Sequence, residues 1–378
     1  MEIGYLTNST APYRVKQINT LSKIKNIEFN IYYTKPKGGR AWDINDSCVA
    51  KEFYLRGIEP IKFKRIDFCI NFGLIKLIRR NDLIVIGGYE QPSYLLASII
   101  CKLFKKKYIL LFDGIQPQKI GIRGNFFKYI WIKYIVKNSL AIFSNGLTSK
   151  LYFNNNFKYD AQKIYNQYLT VDIDSIDELY RKKEEIKKQM RESYAIENNK
   201  KVLLYVGRLL DWKNVDTLIN AVSLIKNHKE YILFIVGDGP ERMNLEKLSQ
   251  DLKINTYFIG NISDPYKIYK HYIMADLFIF PTSGEAWGLV VNEALAAGLP
   301  VVCAKSAGCS LDLVIDDRNG YTFNYDNPNE LGEKINKVFS DKDKYNMFCI
   351  ESKRIIKEWT FENSRESFER MLIESNII

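Results

Sequence analysis

The chain has 378 residues, 46% of them hydrophobic, which is room for two domains with substantial cores and excludes a disordered or low-complexity protein. Its charge is uneven: residues 1–170 hold 27 Lys and Arg against 11 Asp and Glu, a net of +16, and residues 171–378 carry −5. No apolar run reaches the eighteen or so residues needed to span a bilayer, and the six cysteines (48, 69, 101, 303, 309 and 349) make no CxxC or Cys/His cluster, which argues against zinc or a disulfide framework. In chain order, IGYL begins a strand at Ile3 with no signal peptide before it, so a reduced, cytoplasmic protein is expected. FNIYYT, NDLIVIGG, KKYILLF and LAIFSN follow as further strands separated by helical segments. That alternation implies a parallel sheet with helices on both faces.

Within this half, DFCINFGLIKLIRRN places Lys76, Arg79 and Arg80 on one helical face, with Phe68, Phe72, Ile75 and Leu77 elsewhere. Lys102, Lys105 and Lys106 repeat the spacing after LLASII. Basic amphipathic helices with aromatic edges lie on anionic membrane surfaces, which accounts better for the positive half than solubility alone. NFFKYIWIKYIVK, residues 125 to 137, is apolar nearly all round and is either a buried packing helix or an interfacial one. The charged segment from Val171, VDIDSIDELYRKKEEIKKQMRESY, fits a linker followed by a surface helix.

A second alternating set starts at Lys201. KVLLYVGRLLDWKNVDTLINAV reads as buried strand, glycine turn and then a helix from about Val215, with Arg208 and Lys213 flanking the crossing. In an open parallel sheet ligands bind beyond the carboxyl ends of the strands, where an Arg fork and a Lys charge suit a diphosphate. YILFIVGDGPE and NTYFIGNI add two more strand-and-turn units. In PTSGEAWGLVVNEALAAGLPVV, residues 281 to 302, a strand ends before Pro281, a helix runs from about Leu289, and Gly298 and Pro300 stop it. Glu285 precedes that helix and Glu293 projects from its second turn. The free N–H groups around Ala286, Trp287, Gly288 and Leu289 make an anion site between them. Without the second anion site, the pair would pass for a dipole partner and a solvated helix residue.

The ordered motifs VGRLLDWKN, FIVGDGPE, FIGNI, ADLFIFPTSGEAWGLVVNEALAAGLPVV and NGYTF resemble those of the retaining GT-B glycosyltransferases of family 4, the group 1 transferases. They cover roughly residues 200 to 325. The resemblance implies an α/β GT-B fold: two Rossmann-like doubly wound domains facing a central cleft. Residues 1–170 would form an acceptor domain, completed by a C-terminal helix at 360–378. Residues 171–359 would bind the donor. The family's E-x7-E motif falls on Glu285 and Glu293. By resemblance Glu293 would bind the donor's ribose and Glu285 the transferred sugar, Gly207, Arg208 and Lys213 would hold the diphosphate, and the backbone near Ile262 would meet the base.

No metal is implied, because the Arg, the Lys and the helix dipole take up leaving-group charge. The expected donor is a UDP- or GDP-linked sugar. Retention by front-face attack requires no dedicated nucleophile. The chain departs from its relatives in TNSTAPYRV (residues 7–15), where many have a glycine pair, and in lacking a histidine near the acceptor. His228 and His271 both lie in the second half and read as structural or surface residues. Asp113, after the strand YILLF, takes the histidine's place, as an acceptor-binding carboxylate or as a helix or turn cap. Asp312 stands where many relatives have a glutamate and is left outside the site.

The expected activity is metal-independent, retaining transfer of a hexose-type unit to a lipid-linked or membrane-near glycan in bacterial surface polysaccharide assembly, of the lipopolysaccharide, O-antigen or capsule kind. The protein would lie peripherally on the inner face of the cytoplasmic membrane. The alternatives are a GT-B epimerase or phosphorylase, and a basic nucleic-acid-binding protein, for which no recognition motif speaks.

Overall fold

The computed structural model describes residues 1–8, 11–34, 47–63 and 66–378, with backbone alone over 59–69. Ser9 and Thr10 of the first loop and the side chain of Phe68 therefore lie outside the described residues. The chain divides into two compact units. One comprises Met1–Gly114, Lys119–Leu169 and Phe361–Ile378, and the other Ile115–Gln118 and Thr170–Thr360.

The first unit runs β1 (Glu2–Thr7), α1 (Pro12–Leu21), β2 (Glu28–Tyr33), β3 (Lys51–Tyr54), β4 (Gly57–Phe63), β5 (Ile66–Asn71), α2 (Leu74–Arg80), β6 (Leu83–Ile86), α3 (Pro92–Leu103), β7 (Tyr108–Phe112), α4 (Phe126–Asn138), β8 (Ala141–Ser144), α5 (Gly146–Phe157) and β9 (Ile164–Asn166). Seven of these strands form a parallel sheet in the order β3-β2-β1-β6-β7-β8-β9, and β4 and β5 pair as a separate antiparallel hairpin. The central strands read as unbroken apolar runs because both faces are covered, and Ile84, Val85, Ile109, Leu110 and Ile142 are wholly buried. The strand order reverses between β1 and β6, so the loops after them open a crevice at the carboxyl edge of the sheet.

The second unit continues with α6 (Ile173–Tyr180), α7 (Lys183–Ser193), β10 (Lys201–Val206), α8 (Val215–Leu224), β11 (Tyr231–Val236), α9 (Arg242–Asp251), β12 (Thr256–Gly260), α10 (Pro265–Met274), β13 (Leu277–Phe280), α11 (Leu289–Ala296), β14 (Val301–Ala304), α12 (Ser310–Leu313), β15 (Gly320–Phe323), α13 (Pro328–Phe339) and α14 (Lys342–Ile356). The last helix, α15 (Phe361–Glu374), belongs to the first unit, where Phe368, Met371 and Leu372 join the core under β1, β2 and β8. The second sheet is parallel in the order β12-β11-β10-β13-β14-β15, and its reversal falls between β10 and β13. Asp276 anchors α7 to this sheet. It accepts from Arg191 at 2.6 Å, Lys187 at 2.7 Å and the backbone N–H of Val202 at 2.7 Å, a buried charge fully partnered.

Candidate functional site

In the second unit the loops after β10 and β13 rise side by side at the reversal point, and they carry the residues singled out from sequence. The loop after β13 is laced to the turn after β10. Thr282 Oγ1, Ser283 Oγ and the backbone N–H of Ser283 all donate to the carbonyl of Trp212, at 3.2, 3.0 and 2.9 Å. That lacing brings Lys213 against Glu285, and the two form an ion pair with little exposure on either side. Lys213 Nζ also lies 4.4 Å from the Trp212 ring centroid and 5.3 Å from that of Phe280, so one cation is held by a carboxylate and two aromatic faces. Arg208 is exposed and has no ion pair among the described residues.

Beyond Glu285 the chain turns through Ala286, Trp287 and Gly288 into α11, which starts at Leu289. Gly288 is the N-cap with φ of +111°, where a Cβ would strike the Phe280 ring at 2.7 Å. Gly288 brings no side chain to cap this terminus, and the Val291 N–H turns back to the Gly288 carbonyl at 2.9 Å, which leaves the amides before it for an anion. The Trp287 side chain turns inward instead, donating to Asn292 Oδ1 at 3.0 Å and lying 4.7 Å from the Trp359 ring, so Trp287 offers the site only its backbone. Behind the turn, Gly308 permits a close backbone crossing, since a Cβ there would fall 1.9 Å from the Ala286 carbonyl oxygen. The Gly308 N–H donates to the Glu285 carbonyl at 2.9 Å and fixes the loop that presents the carboxylate. Gly207 begins the loop after β10, and Ile262, half-buried, lies just past β12.

Glu293 stands on α11 and accepts from the hydroxyl of Tyr272 at 2.8 Å. Burial pushes its carboxyl up to about 7, against the lowering effect of that hydrogen bond. Sequence inspection did not find Tyr272, because nothing in α10 marks one apolar-face tyrosine as facing a residue 21 positions on.

In the first unit Asp113 follows β7 and caps no helix. It pairs with Arg14 of α1 and accepts from Tyr13 Oη and Gln167 Nε2, each at 3.3 Å. Arg14 is buried and bonds also to Gln17, whose Nε2 donates to Ser364 Oγ at 2.9 Å. The cap alternative for Asp113 therefore falls away. The half-exposed carboxylate sits at the crevice, backed by an arginine that sequence inspection missed. His271 is buried, with burial pushing its imidazole down, and bonds to the Lys267 carbonyl at 2.7 Å and to Tyr194 Oη at 3.3 Å, as a structural residue does. His228 lies in a one-turn helix away from either reversal point.

Among the described residues no group of three or more His, Cys, Asp or Glu is placed to hold a metal ion, and no helix is long and apolar enough to cross a membrane. The segment 125–137 divides. Ile132, Ile135 and Val136 of α4 are buried, whereas Phe126, Phe127 and Ile130 are 68%, 80% and 48% exposed.

Two doubly wound parallel units with a phosphate-suited site at a reversal point define the GT-B glycosyltransferase fold. Anabaena HepE, solved in complex with UDP, has this fold: TM-score 0.74, 16% identity, covering 99% of this chain and 100% of that one. Residues 186–354 match the family described as glycosyl transferases group 1. An uncharacterized glycosyltransferase of Methanocaldococcus jannaschii is 33% identical over 42% of this chain and 40% of its own length. The sulfoquinovosyl transferase SQD2 of Arabidopsis thaliana is 30% identical over 38% of this chain and 26% of its own. The chain thus spans less than half the length of these two relatives.

Proposed function

We propose that the protein is a retaining glycosyltransferase of family 4 that moves a sugar from a UDP- or GDP-linked donor to a lipid-linked or membrane-near glycan, as in bacterial surface polysaccharide assembly. The observation that carries this is the convergence, at one reversal point, of Arg208, the Lys213–Glu285 pair and the uncapped start of α11. A diphosphate placed there meets two cations and a helix terminus, which take up the charge that grows on the leaving group without a divalent metal. Glu293 then accepts from the ribose hydroxyls, Glu285 from the transferred sugar, and the loop at Ile262 meets the base. Asp113, steadied by Arg14, receives the acceptor's hydroxyl. The UDP complex of HepE, a protein of the same fold, supports the choice of ligand.

The acceptor's location follows from charge. From Gly114 to Tyr159 the sequence has seven Lys or Arg and no acidic residue, and within that stretch Ile122, Phe126, Phe127 and Ile130 are exposed together. Exposed aromatics ringed by cations suit an anionic bilayer surface. Lys76, Arg79 and Arg80 of α2 are exposed too, though Arg79 stacks on Phe104 at 4.7 Å and Arg80 lies 5.3 Å from the Phe53 ring centroid.

Incubating the protein with UDP- and GDP-sugars, with and without polyprenyl-diphosphate-linked glycans, tests the assignment. Acceptor-dependent release of nucleoside diphosphate, with a glycosidic product whose anomeric configuration matches the donor's, is expected. A rearranged sugar nucleotide formed without acceptor would point to an epimerase instead.

A further inference from the structure

Tyr272 has no part in the proposed function, yet it touches Glu293, to which that function gives the donor's ribose. It is fully buried in α10, with its ring 5.5 Å from Phe278 of β13, and its hydroxyl donates to Glu293 Oε2 at 2.8 Å. We propose that Tyr272 is a positioning residue of the donor site, holding Glu293 ready as an acceptor for the vicinal hydroxyls of a nucleotide's ribose. The inference rests on the ribose-binding assignment of Glu293.

A buried tyrosine hydroxyl needs an acceptor, and here it takes one oxygen of a carboxylate that has no ion-pair partner among the described residues. The groups that face Glu293 are Tyr272 and Tyr269 of α10. Behind them lie Tyr205 of β10, near Tyr272, and Asp172, near Tyr269. These groups are neutral or acidic. Lys353 of α14, which packs on the helix that carries Glu293, pairs with Asp177 and donates to the Ala296 carbonyl at 2.8 Å, so among the described residues the support for the carboxylate's charge is the Tyr272 hydroxyl. Burial accordingly pushes Glu293 up to about 7, and the Tyr272 hydrogen bond is the opposing influence. Two ribose hydroxyls would donate more strongly to the ionised form than to the protonated one. Nucleotide affinity should therefore fall as pH drops through about 7, when Glu293 takes up a proton. Removing the Tyr272 hydroxyl raises the carboxyl further and moves that midpoint to higher pH.

Calorimetric titration with UDP and GDP between about pH 6 and 9 tests this on the full chain, using Tyr272→Phe, which keeps the buried ring, and Glu293→Gln. The glutamine variant carries the phosphate's own titration as a baseline. For Tyr272→Phe the midpoint should rise by about one pH unit, which is a loss of about fivefold at pH 7 that nears tenfold at about pH 6 and vanishes toward pH 9. A loss of equal size at every pH, or none at any, would overturn the positioning role. Unchanged affinity and pH profile in Glu293→Gln would instead overturn the ribose assignment beneath it.

Discussion

Arg208 and Lys213 carry charge of the same sign in different settings, and the difference predicts how each responds to substitution. Arg208 has no ion pair among the described residues, whereas Lys213 is claimed by Glu285 and two aromatic rings. A diphosphate recruiting Lys213 competes with Glu285 for it. Glu285→Gln should therefore tighten nucleoside diphosphate binding by releasing the lysine, and at the same time depress transfer by losing a sugar contact. Calorimetry and turnover measured on the same preparation check this, and weaker binding would contradict the competition. Arg208→Ala and Lys213→Ala should each lower kcat by about a hundredfold, since charge on the leaving group grows in the transition state. A change confined to KM would count against that role. Glu293→Ala should weaken nucleotide binding by about 1–3 kcal/mol. Glu293 also has a stability signature. Its folded-state value is raised from 4.5 to about 7, so its contribution is present at low pH and lost as pH rises through about 7. The melting temperature of Glu293→Gln should lack that decline.

At the scale of elements, the Glu285 loop is held by a backbone crossing that only glycine permits. Gly308→Ala would place a Cβ 1.9 Å from the Ala286 carbonyl and so push the Glu285 loop out of register. The expected result is a folded protein, shown by an unchanged far-ultraviolet spectrum, with nucleotide binding reduced at least tenfold, and full binding would contradict the crossing's role. The start of α11 at Leu289 was legible because glycines, an apolar 3.6 period and a stopping proline all agree there. The parallel sheets were legible for a similar reason, as double-sided burial writes continuous apolar runs. The short edge strands β3 and β9 were not, and the β4–β5 hairpin was missed because DFCIN, which forms β5, reads as part of the basic helical segment. Side-chain partnerships across the chain were least visible. Arg14 meets Asp113 from 99 positions away and Lys213 meets Glu285 from 72, and no local rule predicts either pairing. The exposed start of α4 was half visible: its apolar sequence was plain, but which residues the core would cover depended on the neighbours of α4.

At the scale of the whole molecule, the positive charge of residues 1–170 and the acid-free stretch around α4 predict sedimentation with vesicles containing phosphatidylglycerol, little with neutral vesicles, and release as salt rises. Phe126→Ser with Phe127→Ser should weaken this, as should replacement of Lys76, Arg79 and Arg80 by Ser, with nucleotide binding unaffected in both. Equal, negligible sedimentation with both vesicle types at low salt would favour a soluble acceptor. On the proposed mechanism, in which the cations at the reversal point take up the leaving-group charge, transfer should persist in EDTA; full loss restored by manganese would contradict this. The most direct test of the central claim is a melting-temperature screen against UDP- and GDP-sugars, run on the wild type and on Glu293→Ala. A ligand at about a hundred times its Kd stabilises the folded state by about 2.7 kcal/mol. At least one nucleotide sugar should raise the wild-type Tm by several degrees and the variant's by much less, whereas no shift with any nucleotide sugar, or an equal shift in both proteins, would contradict the donor site.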